Sequence, residues 1–395
     1  MANRDVVVLS AVRTAVGEFG GALKDQEPGE LGGLVVRESI KRAGVDPDQV
    51  SFVAVGSVIP TDHRSPYVGR VASVKGGLDP AKHVTVTVNR LCGSSQQAIV
   101  STAQAIITGD ADFGLGVGTE VMSRGGYMMP SARFGARMGD AKMVDLMVSV
   151  ITDPFEGYHM GITAENVAAK WGIGREEQDA FALESQRRAL AAQAAGHFKS
   201  QIVPVELVTR KGVTLFEVDE RPRADVTAES LAKMKPAFKK DGTVTAGNAS
   251  GINDGAASIV LAEAGAAARA GCKPLARLVA WGIAGVDNKI MGEGPIPSTQ
   301  VALKKAGLTL DQIDVIESNE AFSAQSLAVL KGLGLDPQKT NPNGGAVALG
   351  HPVGATGAII VTKLIHEMHR VQARYGLATM CIGGGQGITT IYERL

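Results

Sequence analysis

Two stretches of this chain repeat each other: "IKRAGVDPDQVSFVAVGSV" at 40–58 and "LKKAGLTLDQIDVIESNEA" at 303–321. In both, a basic helix end runs into Ala-Gly, where the glycine suits a left-handed helix stop. Asp-Gln-hydrophobic then leads into a strand-like run. The match continues downstream, where "VNRLCGSSQQAIV" (88–100) and "LGHPVGATGAIIV" (349–361) are each a small-residue turn opening an apolar helix. A solenoid needs several short repeats, so two long units indicate duplicated halves; the alternative is chance likeness between α/β units. Around the first copy, "DVVVLSAV" reads as a strand, "GELGGLVVRESIKRAG" as an amphipathic helix and "VSFVAVGSV" as another strand. That alternation implies an α/β fold with a largely parallel sheet covered on both faces.

Composition narrows the function classes. The 395 residues carry 40 basic and 40 acidic side chains, so overall charge suggests neither nucleic acid nor an acidic membrane surface. Cys92, Cys272 and Cys381 are too few and too scattered for a disulfide framework or a Cys-x-x-Cys zinc site, which points to a reduced, cytoplasmic protein and to no metal. "MANRDVVVLSAVRTAVG" lacks the apolar core of a secretory signal, and no apolar run approaches the ~18 residues of a membrane span. A different segment, roughly 120–250, separates the halves. It contains "RGGYMMPSARFGARMGD", the helical "GREEQDAFALESQRRALAAQAAG", and a stretch from Lys199 to Lys240 in which basic residues outnumber acidic ones. That stretch reads as a solvated face or as a cover for an anionic ligand.

The chemistry concentrates at the paired turns. Cys92 stands where a strand gives way to a helix, and a helix start favours negative charge, so its thiol is expected to ionise below the free value of about 8.5. A buried structural cysteine is the competing reading. His351 lies among glycines at the matching turn of the second copy. "CIGGGQG" places Cys381 before glycines whose N–H groups could meet an oxyanion, and Asn319 and Glu320 fall at a strand end, where ligands of open α/β sheets bind. Together these supply a nucleophile, a base, a second thiol and amide donors, which suits acyl transfer.

At these residues the chain resembles the thiolase family over its whole length. "NRLCGSSQQA", "GNASGINDGA", "NEAF", "GGAVALGHPVGATGA" and "CIGGGQG" occur in family order. The resemblance implies a five-layered α/β/α/β/α fold of two homologous halves, 1–270 and 271–395, with a loop domain inserted at about 120–250. It implies coenzyme A thioesters as substrates, no cofactor, and a homodimer or homotetramer. Carried over by residue, it makes Cys92 the acylated nucleophile, His351 its base, and Cys381 the group that moves a proton at the substrate α-carbon. Asn319 holds a water in one oxyanion hole beside His351, and the Cys92 and Gly383 amides form the other. Arg223, Ser250, His159, Met160, Phe238, Ala246 and Phe322 match positions that contact coenzyme A or shape the acyl pocket.

The implied reaction is the reversible condensation of two acetyl-CoA to acetoacetyl-CoA; a degradative 3-ketoacyl-CoA thiolase is the alternative within the family. Ser95 departs from the Cys-x-Ser-Gly form common among short-chain members, and Gln96 stands where an apolar residue is usual. Other classes fit less well. A cysteine-dependent thioester hydrolase would need neither Cys381 nor Asn319, and a non-catalytic acyl-CoA binder would be expected to lose the cysteines. A dinucleotide-dependent dehydrogenase would need the Gly-x-Gly-x-x-Gly turn that "DVVVLSAVRTAVG" lacks. Cys272 is expected to have no chemical role.

Overall fold

A computed structural model describes residues 4–210 and 212–395. Residues 1–3 of the N-terminal stretch and Lys211 of the basic segment lie outside the described residues. The first half contributes β1 (Val6–Arg13), the short β2 (Gly17–Glu18), β3 (Val50–Gly56), β4 (Val84–Val88) and β5 (Phe113–Val121), with helices α1 (Pro28–Ala43), α2 (Val68–Lys75) and α3 (Ser94–Thr108). The chain then leaves the sheet. It forms the small pairs β6 (Tyr127–Met128) with β7 (Val144–Asp145) and β8 (Val205–Thr209) with β9 (Gly212–Phe216). Helices α4 (Leu146–Val150), α5 (Met160–Trp171), α6 (Arg175–Ala194) and α7 (Ala228–Ala232) lie in the same excursion. It returns as β10 (Asn253–Glu263) and α8 (Ala264–Arg269), followed by β11 (Ala276–Gly285), α9 (Pro295–Ala306), β12 (Val315–Ser318), α10 (Ser323–Leu333), α11 (Ala346–Leu349), α12 (Thr356–Arg370), β13 (Tyr375–Ile382) and β14 (Gln386–Arg394).

The main strands run β12-β13-β14-β11-β1-β10-β5-β3-β4, with β2 on β10. The two half-sheets join through β1 and β11, which share only the pairs Val7–Arg277 and Val8–Ala276. The expectation of a largely parallel sheet is corrected: among the described residues only the strand pairs β3–β4, β3–β5 and β12–β13 are parallel. β10 comes back antiparallel to both β1 and β5, and β13 and β14 form a hairpin. Hairpins and long excursions reverse the chain without the crossover helix that a parallel pair requires.

Helices occupy three levels around these half-sheets, completing five layers. On β1, Val6 and Val8 face a cluster shared with α3 and α12, whereas Val7 and Leu9 face one shared with α1. Alternate side chains point to opposite faces, so a strand covered on both reads as an unbroken apolar run. On the far side, α9 and α10 pack over the second half-sheet through Ala302, Val329 and Leu377. The repeated helix stops are both left-handed, with φ 67° at Gly44 and 66° at Gly307. The central layer is tight because β5 carries glycine at three alternate positions: a Cβ at Gly114, Gly116 or Gly118 would run into Thr102, Ile99 or Ser95 of α3. These glycines bring the helix behind Cys92 directly onto the strand.

Candidate active site

Cys92 sits two residues before the first helical residue of α3, in a turn held by local bonds. Ser94 Oγ donates to the Leu91 carbonyl (2.6 Å) and accepts from the Arg90 N–H (2.9 Å). Leu91 adopts φ 46°, a conformation that costs energy for a branched residue and turns the chain sharply before the thiol. The expected lowering of the Cys92 pKa is corrected. Burial pushes the thiol above its ordinary value; the Gly383 and Cys92 amides pull it down without reversing that, and the Glu120 charge pushes it up further. The helix start is where it was expected, but the surroundings (Met122, Val353 and Leu91) are apolar.

His351 occupies the equivalent turn before α12. Its N–H donates to Asn253 Oδ1 (2.9 Å), and Asn253 Nδ2 donates to the Gly17 carbonyl (2.9 Å). The Thr356 hydroxyl donates to the Pro352 carbonyl (2.9 Å), so its oxygen can only accept from His351 Nδ1, 2.7 Å away. That assigns the ring proton to Nδ1 and leaves Nε2 as the free lone pair. Nε2 is buried and has no protein partner. Burial lowers the imidazole pKa to about 4, so the ring is neutral at pH 7.

Both residues open on one cavity of about 290 Å³. Of the residues expected at the site, Cys92, His351, Gly383, His159, Met160, Phe238, Ala246, Ser250 and Phe322 are in its wall. His159 caps α5, its Nδ1 accepting from the Gly161 N–H (2.9 Å), and its ring stacks on Phe238 at 4.4 Å. Phe238 meets Phe322 edge to face at 6.2 Å. Ser250 donates its N–H to the Ala321 carbonyl (3.0 Å), joining the excursion to the loop after β12.

Three expected residues lie elsewhere. Cys381, at the end of β13, is fully buried behind the wall, in an apolar cluster with Met160, Met291 and Phe322. Burial and the neighbouring Cys92 raise its thiol pKa strongly. Asn319 follows β12, and both polar atoms of its side chain are buried without a protein partner. It borders a separate cavity of about 20 Å³ with Gly350 and Thr356, a volume that fits a single water molecule. Arg223 is outside the cavity wall, with its side chain 59% exposed and 3.7 Å from Glu18; Arg221 is the arginine in the wall.

Glu120 was not singled out from sequence. Its carboxylate accepts from the Val58 (3.0 Å), Ile59 (3.1 Å) and Gly354 (2.9 Å) N–H groups, tying the loop after β3 to the loop behind His351. Burial pushes its pKa up to about 8, while those three donors favour the charged form. A lone carboxylate ending the apolar run "FGLGVGTEV" was the available signal.

Comparison with known proteins places this geometry in a family. The thiolase N-terminal domain matches residues 6–265 and the thiolase C-terminal domain residues 272–394. The chain belongs to the thiolase family. It is 58% identical over 394 residues to "Beta-ketothiolase BktB" of Cupriavidus necator, covering all of both chains. It is 50% identical to an acetyl-CoA acetyltransferase of Chromobacterium violaceum, over 99% of this chain and all of that one. The crystal structure of human mitochondrial 3-ketoacyl-CoA thiolase superposes with a TM-score of 0.97 at 43% identity, each chain fully covered.

Proposed function

We propose that this enzyme catalyses the reversible condensation of two acetyl-CoA to acetoacetyl-CoA and free coenzyme A, through an acyl group carried on Cys92. The observation that carries the reading is a pair of opposite groups, the Cys92 thiol and the free Nε2 of His351, opening on one apolar cavity. The relatives named acetyl-CoA acetyltransferase and β-ketothiolase support the same reaction.

In this mechanism His351 Nε2 takes the Cys92 proton, and the sulfur attacks the thioester carbonyl carbon. The bond from that carbon to the coenzyme A sulfur breaks, and the departing thiolate takes the proton back. With coenzyme A gone, the free His351 Nε2 takes the Cys381 proton, and the Cys381 thiolate removes an α-proton from a second acetyl-CoA. The enolate carbon bonds to the acyl carbon on Cys92, and the Cys92 sulfur leaves and takes the proton held on His351. A thiol that holds its proton as tightly as Cys381 is a strong base once ionised, which suits a weakly acidic α-carbon. Amide donors at Cys92 and Gly383 meet one oxyanion; the enolate oxygen is met by a water on Asn319 and by His351 Nε2–H, protonated at that stage. His159, Met160, Phe238, Ala246, Ser250 and Phe322 bind the acyl and pantetheine portions, and Arg223, on the solvent side, meets a phosphate. Coenzyme A thioesters are substrates here, and no step calls for a metal or redox cofactor.

The duplicated halves, taken as 1–270 and 271–395 with an insert at about 120–250, supply one half of the pair each. We assign the enzyme to the cytoplasm as a homo-oligomer. Between β6 and β7 the chain exposes Phe134 (86%) and Met138 (97%), apolar side chains suited to a second copy. Among the described residues, no helix is long and apolar enough to cross a membrane. Light scattering on the purified protein gives the copy number, and a monomer would defeat that assignment.

The test of function is a pair of assays: acetoacetyl-CoA formation, and exchange of labelled coenzyme A into acetyl-CoA. Cys92→Ala abolishes both; Cys381→Ala abolishes formation and keeps measurable exchange. Equal loss of both in Cys381→Ala refutes the division of labour. The degradative reading is favoured by the apolar flank of the cavity, Met122, Val150, Ile252 and Val353. Faster cleavage of a longer 3-ketoacyl-CoA than of acetoacetyl-CoA would select it.

A further inference from the structure

Gln96 stands in the first turn of α3, four residues after Cys92, with its side chain fully buried. Its Nε2 donates two hydrogen bonds across the central layer: to the Ala378 carbonyl on β13 (2.9 Å) and to Thr390 Oγ1 on β14 (2.9 Å). Ala378 precedes Cys381 by three residues on one strand. Beside it, Ser95 Oγ accepts from the Ala358 N–H near the start of α12 (2.9 Å), the helix opened by the His351 turn. The backbone has no slack, since a Cβ at Gly56 or Gly118 would strike Ser95 and one at Gly357 would strike Gln96. The first turn behind the nucleophile is therefore bonded to both elements that carry its chemical partners.

The same side chain leaves an acceptor stranded. Gln96 Oε1 is buried with no partner, which is destabilising, and an apolar side chain of similar size would avoid it. Stability of the layer alone does not select an amide here. What the amide adds is direction: two bonds from one nitrogen fix how α3 sits against β13 and β14.

We propose that Gln96 is a positioning residue that sets Cys92 against Cys381 for carbon–carbon bond formation. The inference rests on the reading of Cys92 as nucleophile and Cys381 as α-carbon base. Gln96 is not in the cavity wall, so it acts through the two sulfurs. Acylation uses Cys92 and His351 alone. Condensation also requires the acyl carbon on Cys92 and the Cys381 sulfur to reach the same small α-carbon group, where small displacements are costly. Removing the tie falls on condensation and spares exchange.

The experiment compares Gln96→Leu, Gln96→Met, Thr390→Val and Cys381→Ala in both assays and in thermal unfolding. The two Gln96 variants lower kcat for acetoacetyl-CoA formation about tenfold or more. Coenzyme A exchange stays within roughly twofold, KM for acetyl-CoA is unchanged, and the unfolding midpoint is unchanged or raised. Thr390→Val, which removes one of the two bonds, gives a smaller split in the same direction. An equal fall in both activities, no change in either, or a lowered midpoint or failed folding in the Gln96 variants overturns the proposal, because Gln96 would then hold the fold or nothing. If Cys381→Ala splits the activities and the Gln96 variants do not, positioning alone fails. If Cys381→Ala shows no split, the chemical reading fails and the positioning role with it.

Discussion

The turn at Cys92 and the turn at His351 are copies of one element, each opening a helix of the central layer, α3 and α12. They are held differently. The Cys92 turn is closed by its own neighbours, with Leu91 at positive φ and Ser94 bonding back to residues 90 and 91. The His351 turn is held mainly from outside, where Asn253 of β10 takes its N–H and Glu120 of β5 takes the Gly354 N–H, while Thr356 of the same turn fixes its ring. Burial acts on both side chains but in opposite directions, raising the thiol pKa and lowering the imidazole to about 4. The resting pair is thus a neutral thiol beside a neutral base, with the proton transfer deferred until substrate enters.

That comparison can be broken at either turn. The largest effect is expected at Cys92, where Cys92→Ala removes every activity above background, because each path runs through the acyl-enzyme. Residual exchange in that variant would mean another nucleophile; Cys272, buried and remote from the cavity, is predicted to carry no acetyl group by peptide mass spectrometry.

At the other turn, Thr356→Val removes the acceptor that sets the His351 tautomer. Either nitrogen can then carry the proton, and kcat falls by about tenfold with little change in KM. An unchanged kcat would show that packing alone orients the ring. Away from both turns, Arg223→Ala is expected to raise KM for acyl-CoA roughly fivefold, about 1 kcal/mol, as befits an exposed charge. A collapsed kcat with unchanged KM would move Arg223 into the chemistry.

The smallest effect is the most diagnostic. With His351 titrating near 4, the first-turnover release of coenzyme A from acetyl-CoA changes by less than about twofold between pH 7 and 5; an ordinary histidine at 6.5 would cost more than about tenfold. Stability behaves differently over the same range. The unfolded chain takes up a proton at His351 below 6.5 and the folded one does not until about 4, so stability falls as pH drops through that window. A flat unfolding midpoint from pH 7 to 5 in wild type and His351→Asn alike would contradict the buried neutral ring.

Legible in the sequence were the repeated Ala-Gly segments, the left-handed stops at Gly44 and Gly307, the strand-to-helix turns and the cysteine and histidine that stand at them. These are local features: turn residues, helix starts and apolar periodicity act within a few positions, so they can be read in order along the chain. Strand direction was misread because it depends on where a chain returns after an excursion of more than a hundred residues, as β10 does after β5. Protonation of the pair depends on packing between distant segments. A helix start argued for a thiolate at Cys92, but apolar side chains from other elements, Met122 and Val353 among them, bury it, and that burial outweighs the Gly383 and Cys92 amides. The same holds for Glu120 and Gln96. Each acts through partners on another strand or in another turn, and a hydrogen bond across the core leaves no periodicity in the sequence by which it could be seen.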